Sequence, residues 1–192
     1  MEILNNIWLA LTTENSFITS IIYIPLAFIE AIVSTLLFTT FLNINATKKQ
    51  KISYIIFIAT LGIISTFFIP KPYSNLVTLI AIPFSTMFFF KISFLKGIFA
   101  EVIPVICITI LELIITRLTL MIFKVPYDTV TAVPIYRFVV TSVIYLCIFG
   151  LYKLIKHFNV NITILDRIDK KSKGIILINL IFALIVIFMQ MY

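Results

Sequence analysis

The sequence predicts an all-α protein, a polytopic bundle of transmembrane helices with about six spans. Of its 192 residues, 61% are hydrophobic and only 12% are charged, and the mean hydropathy is +1.16. Apolar runs long enough to cross a hydrocarbon core of about 30 Å recur along the whole chain. Such runs indicate helices, because a helix satisfies all of its backbone polar groups without water.

The elements follow one another within a single predicted transmembrane domain, residues 1–192. Residues 1–16 lack the basic start and the cleavage site of a signal peptide, so they predict a short interfacial segment that carries Trp8. The predicted spans lie at about 17–42, 52–69, 75–90, 97–123, 133–152 and 174–191. The third is the shortest, and three prolines in or near it allow an irregular entry or a kink.

The basic residues predict the orientation of the bundle. Loops 43–51, 91–96 and 153–173 together hold eleven Lys and Arg, whereas loops 70–74 and 124–132 hold two. By the positive-inside rule the first three loops are cytoplasmic and both termini are outside. The net charge of +7 therefore indicates membrane topology, and we expect contact with lipids and none with nucleic acid.

Five charged residues lie inside the predicted spans, where an unpaired charge is costly; they are Glu30, Glu101, Glu112, Arg117 and Arg137. Glu101 and Glu112 are eleven residues apart, close to three helical turns, so they share one face of the fourth span. Depth in the membrane favours a pair of Glu112 with Arg137. It also favours a pair of Glu30 with Arg117, and both pairs make the fourth span the centre of the bundle.

These five residues form the candidate functional site, and three interpretations stay open. Charges at such depths face the bundle interior, either paired or beside a water-filled cavity. They could clamp the helices together, line a ligand cavity, or form a path for ions or protons. Glu101 has a further option, since it lies near enough to the inner surface to reach the headgroups.

No catalytic residue, metal site or cofactor is predicted. His157 is the only histidine, and no Cys, Asp or Glu stands at ligand spacing from it. Cys107 and Cys147 lie within apolar runs, so we expect both to be small packing residues. The four glycines are too far apart for a nucleotide-binding loop. We therefore expect no enzymatic activity from these 192 residues.

Four phrases carry a resemblance to a known family: "FFIPKPYSN" (67–75), "FFFKISFLKGIFAEVIP" (88–104), "VPIYRF" (133–138) and the closing "LINLIFALIVIFMQMY". The chain resembles the N-terminal membrane sensor region of GHKL-type sensor histidine kinases, which are related to the accessory-gene-regulator peptide receptors. The resemblance covers nearly the whole chain and depends on the hydropathy layout and on these short phrases.

The resemblance implies a receptor in a bacterial cell membrane that serves a two-component system, often in quorum sensing. It implies an extracellular ligand, either a small molecule or a peptide, and a homodimer formed through a C-terminal region that these residues lack. The chain departs from the whole family proteins because it has neither a phospho-accepting histidine on a dimerisation helix nor an ATP-binding box. Kinase activity would belong to a longer parent chain.

An alternative interpretation is the substrate-binding membrane subunit of a vitamin importer of the energy-coupling-factor type. Such subunits also have about six spans and dock through faces of small residues. Ala27 and Ala31 offer this four-residue spacing in the first span. A membrane peptidase is a third class, but it would need a cysteine and a histidine together at the inner surface.

The distribution of basic residues makes the topology testable. Single cysteines introduced into a variant without Cys107 and Cys147 should react with an impermeant maleimide according to their loop. Loop 43–51 should react only from the cytoplasm and loop 124–132 only from outside, because the positive-inside rule orients the spans. The opposite labelling would contradict the orientation and the outside placement of both termini.

Overall fold

A computed structural model of the protein describes residues 2–70 and 73–160, and these ranges contain seven α-helices and no strand. The helices are α1 (Glu2–Thr12), α2 (Ser16–Phe41), α3 (Lys48–Phe68), α4 (Tyr73–Phe90), α5 (Phe94–Phe123), α6 (Tyr127–Ala132) and α7 (Pro134–His157). The predicted all-α fold class is therefore confirmed. The short N-terminal helix is present as α1, with Trp8 exposed, and its place at a membrane interface stays a prediction.

Four of the described helices are long and apolar enough to cross a membrane, namely α2, α3, α5 and α7. The chain is thus a membrane protein with about four such spans among the described residues, fewer than the six predicted. The predicted third span is the 18-residue helix α4, whose length of about 27 Å falls just short of a typical hydrocarbon core. The predicted sixth span, 174–191, lies outside the described residues.

Local sequence signals set where the helices begin and end. The Asn15 side chain accepts hydrogen bonds of 3.1 Å from the backbone N–H groups of Phe17 and Ile18, which caps α2. Thr47 and Gln50 form a reciprocal capping box at the start of α3. At the turn that joins α4 to α5, Lys91 takes a left-handed conformation with φ of 54°. A residue in this conformation cannot continue a right-handed helix, so α4 ends here.

Helix α2 lies at the centre of the bundle. It packs against α7 on one side, against α3 on another, and also against α5, whereas α4 packs against α3 and α5. In α2, 39% of the most apolar stretch is buried, compared with 28% in α5. Helix α5, the fourth predicted span, packs against α2, α4, α6 and α7, so it shares the centre of the bundle with α2. Of the five charged residues in the predicted spans, three lie on α5 itself, and the other two lie on α2 and α7.

Two hydrophobic cores hold the bundle together. One joins α2 to α7 and includes Leu37 and Ile148, both completely buried. The other, which we call the aromatic cluster, consists of Phe38, Tyr54 and Phe90, with ring centroids 5.0–5.7 Å apart. It lies where α2 and α4 end and where α3 begins, and it closes that end of the bundle.

Helices α4 and α5 approach each other closely at Gly97. A Cβ atom at this position would lie 2.7 Å from the backbone carbonyl oxygen of Pro83, which is shorter than van der Waals contact. The partner atom belongs to the backbone of a packed helix and cannot rotate away. Glycine at this position therefore allows the two helices to pack side by side, as small residues do in many membrane proteins.

Replacing Gly97 with alanine should destabilise the bundle by about 1–3 kcal/mol, the usual range for overpacking. Thermal unfolding of the purified protein in detergent would measure the loss. Gly150→Ala is the matched control, because a Cβ atom there meets nothing within 4 Å. Equal melting temperatures for the two variants would contradict the close packing of α4 against α5.

Candidate ligand cavities inside the bundle

The first candidate site is a cavity of about 260 Å³ between α2, α3, α4 and α5, which we call the polar cavity. Hydroxyl and carboxyl groups make up much of its polar lining, among them those of Glu30, Thr35, Tyr54, Ser65 and Glu101. A polar cavity of this kind is expensive to build in a helix bundle that must sit in hydrocarbon, so it indicates a site for water or ligand.

Glu101 lies in the wall of the polar cavity, with its side chain only 5% exposed. Its Oε2 atom is buried and accepts no hydrogen bond from any described residue. The sequence explains the placement: Gly97, Ala100, Glu101 and Pro104 share one buried face of α5, and the first two have little or no side chain. Because this face packs inward, Glu101 does not extend to the headgroups as one interpretation allowed.

Several hydroxyl groups around the polar cavity donate their protons to other oxygen atoms of the protein. Thr35 donates to the carbonyl oxygen of Ala31, and Ser65 donates to that of Gly62. Thr86 donates to the carbonyl oxygen of Ile82 at 2.7 Å. The 3.1 Å contact between Tyr54 and Thr86 must therefore use the Tyr54 proton, since each hydroxyl has only one proton to give. Among the hydroxyl groups that line the cavity, Thr35, Tyr54 and Ser65 therefore keep only acceptor capacity.

The second candidate site is a cavity of about 300 Å³ between α2, α5, α6 and α7, which we call the charged cavity. Glu30, Glu112 and Arg137 all line it. Glu112 lies within electrostatic range of Glu30, and Arg137 lies within electrostatic range of Tyr23. The charged cavity therefore brings together three of the five residues predicted from the sequence.

Glu30 lies at the junction of the two cavities and lines both. Its Oε2 atom accepts a hydrogen bond of 2.7 Å from the hydroxyl group of Tyr145 on α7. Tyr145 is 6% exposed, and sequence reasoning missed it. The available signal was its position near the middle of a predicted span, because a buried tyrosine hydroxyl there needs a polar partner.

The predicted ion pairs are not formed. Among the described residues, neither Glu112 with Arg137 nor Glu30 with Arg117 has a nitrogen and an oxygen within 4.0 Å. Arg117 is exposed and lines neither cavity.

Depth explains one missing pair. Ile108 lines both cavities with Glu30. Arg117 lies further along α5, and at the usual helical rise it is about 13 Å from Ile108 along the helix axis. In the other pair, the side chains of Glu112 and Arg137 are exposed. Both line the charged cavity, but they do not contact each other. The site therefore does not have the geometry of an ionic clamp.

The described ranges contain no group of three or more His, Cys, Asp and Glu side chains that could hold a metal ion. Both cavities carry polar groups that can bind a ligand. The polar cavity supplies carboxyl and hydroxyl oxygen atoms. The charged cavity supplies two carboxylates and a guanidinium group, a combination that can bind groups of either sign.

The bond between Tyr145 and Glu30 predicts an energetic coupling between α7 and α2. Tyr145→Phe should cost about 1–2 kcal/mol, above the average interhelical hydrogen bond in membranes because the acceptor is a carboxylate. In a double-mutant cycle with Glu30→Gln, followed by urea or thermal unfolding in detergent, the double variant should lose less than the sum of the two single losses. Tyr152→Phe removes a hydroxyl from the same helix without affecting Glu30 and serves as the control. Strict additivity would mean that the two side chains do not interact.

Comparisons of the chain with protein-family models, with curated proteins and with solved structures found no match. Inferences about function therefore depend on the sequence, on the two cavities and on the residues that line them.

Proposed function

We propose that the chain is the membrane-embedded sensor module of a two-component sensor histidine kinase, and that an extracellular ligand occupies the two cavities. The observation that carries this proposal is the position of Glu30, at the junction of the cavities and on the central helix. The resemblance in the sequence supplies the class of receptor. The geometry supplies a place where a ligand could act on the packing of the bundle.

The charges inside the bundle favour ligand binding over clamping. A clamp would pair Glu112 or Glu30 with an arginine, and neither pair is formed among the described residues. Charged groups without partners in a membrane protein usually face water or a bound molecule. The two cavities, with volumes of about 260 and 300 Å³, provide that space beside Glu30, Glu101, Glu112 and Arg137.

A sensor needs two packings that differ in their affinity for the ligand. The interface between α2 and α7 is suited to this requirement, because the hydrogen bond from Tyr145 to Glu30 joins the two helices at the wall of the charged cavity. A ligand that competes for Glu30 would weaken this bond and allow α7 to shift against α2. Helix α7 ends on the side that holds most of the basic residues, where a kinase domain of a longer parent chain would receive the change.

The importer interpretation used Ala27 and Ala31 as a docking face. The structure buries both, with 5% and 4% exposure, and places them in the wall of the polar cavity. Their small size is accounted for by packing and by the space that the cavity needs. In the receptor interpretation both alanines line the ligand cavity. The importer interpretation would need a docking face made of other residues.

A genetic experiment separates the two functions. Residues 1–192 would be deleted in frame at the native locus, and transcripts would be compared before and after addition of cell-free conditioned medium. A sensor module should lose the transcriptional response while vitamin uptake stays unchanged. Loss of vitamin uptake with an intact transcriptional response would overturn the proposal in favour of the importer.

Point variants at the same locus test the site itself. Glu30→Gln should require roughly ten times more conditioned medium for a half-maximal response, because it removes a charged group from both cavities. Glu14→Gln is the matched control, since Glu14 is an exposed residue between α1 and α2. Membrane levels of both variants would be measured by immunoblot. An unchanged response in Glu30→Gln at normal protein level would place the ligand elsewhere.

A further inference from the structure

We propose that the polar cavity binds a primary ammonium group, with Glu101 as its counter-charge. The inference rests on the proposed function only in taking this cavity as the place of the ligand. Its evidence is the acidic lining of the polar cavity, the acceptor oxygen atoms, the nearby aromatic rings and the size of the cavity.

The lining of the polar cavity is acidic in composition. Glu30 and Glu101 line the polar cavity, and no Lys or Arg is among the described residues that do so. Glu30 already accepts a hydrogen bond from Tyr145, whereas Oε2 of Glu101 is buried without any hydrogen-bond partner among the described residues. A buried carboxylate without a partner is costly, so a cation in the cavity would supply the missing interaction.

Three hydroxyl groups of the lining can act only as acceptors toward a ligand. Thr35, Tyr54 and Ser65 have given their protons to other oxygens, which leaves their lone pairs available. A primary ammonium group carries three N–H donors and no acceptor, and therefore complements this lining. A carboxylate would bring only acceptors and would not complement Glu101.

The aromatic cluster adds a second feature that favours cations. Phe38 and Tyr54 line the polar cavity together with Glu101. A cation close to an aromatic face is attracted by the ring quadrupole, and the attraction grows when water is excluded. Two of the aromatic rings that close the end of the bundle are therefore also part of the proposed binding surface.

The volume of the polar cavity and the number of its free carboxyl groups restrict the kind of cation that it could bind. The volume of about 260 Å³ is slightly below the range of about 300–1,000 Å³ for drug-sized ligands. It fits a small amine or one lysine side chain, and not a whole peptide. A single free carboxylate among neutral hydroxyls suits a singly charged group better than Ca²⁺ or Mg²⁺, which usually take several charged oxygens.

The test uses the full 192-residue chain purified in nanodiscs, with n-butylammonium chloride as the probe. Isothermal titration calorimetry should show saturable binding, and the melting temperature should rise with the probe concentration. n-Butanol has the same alkyl stem without the charge, and KCl and NaCl match the ionic strength, so none of the three should have this effect. Absence of saturable butylammonium binding, or an equal effect of KCl or NaCl, would overturn the proposal.

Variants assign the binding to the cavity. Glu101→Gln should bind butylammonium at least ten times more weakly, and it should fold because a neutral amide replaces the buried carboxylate. Tyr54→Phe keeps the ring but removes the hydroxyl acceptor, and should weaken binding roughly two- to tenfold. Glu14→Gln should bind like the wild type. Wild-type affinity in both Glu101→Gln and Tyr54→Phe would overturn the assignment of Glu101.

A further comparison identifies the source of the ammonium group. The tripeptide Gly-Lys-Gly should bind more tightly than butylammonium if the natural ligand is a peptide that inserts one lysine side chain. Weaker binding of the tripeptide would indicate a free small amine, and either result agrees with the proposed chemistry. Because binding is measured on the purified chain, its failure together with an intact transcriptional response would reject the ammonium site and leave the sensor function standing.

Discussion

The packing of α2 between α7 and α3 is the constraint on which the rest of the structure depends. A central helix in a membrane bundle can carry a charged residue only if that residue meets polar partners inside the protein. Glu30 accepts a hydrogen bond from Tyr145 and lines both the polar cavity and the charged cavity. The same helix supplies Leu37 to the core with α7 and Phe38 to the aromatic cluster. One helix therefore determines both where the hydrophobic cores form and where the polar space remains.

The two cavities differ because their walls differ in chemistry. Helices α3 and α4 contribute hydroxyl groups whose protons stay within their own helices or pass to a neighbouring helix, as Ser65 and Tyr54 show. Helix α7 contributes Arg137 and the hydroxyl proton of Tyr145. The polar cavity therefore has no basic side chain among the described residues that line it, whereas the charged cavity has a guanidinium group. A ligand with two unlike polar groups could engage both through Glu30.

Much of the fold was predictable from the sequence, and the reasons are physical. Long apolar runs have one stable arrangement in a bilayer, so the helices and most of their bounds follow from hydropathy. Glu30 and Glu101 were expected to face the interior of the bundle, and both line a cavity there. The partners of the charged residues were not predicted correctly, because depth along a span gives no information about which helices are neighbours. The central role of α2 and the bond from Tyr145 depend on that arrangement, and short sequence phrases do not determine it.

The unequal lengths of α4 and α5 have a consequence for the lipid around the protein. Helix α5 has 30 residues and α4 has 18 residues. At the usual helical rise these lengths correspond to about 45 Å and about 27 Å. Their close contact at Gly97 and Pro83 and their short connection make the two helices respond together to the thickness of the bilayer.

In a thin membrane α5 must tilt or bend further than α4. Pro104 lies inside α5 and provides a place for bending, because a proline interrupts the backbone hydrogen bonds of a helix. Glu101 lies one turn before this proline and in the wall of the polar cavity. Bilayer thickness would therefore act directly on the shape of that cavity.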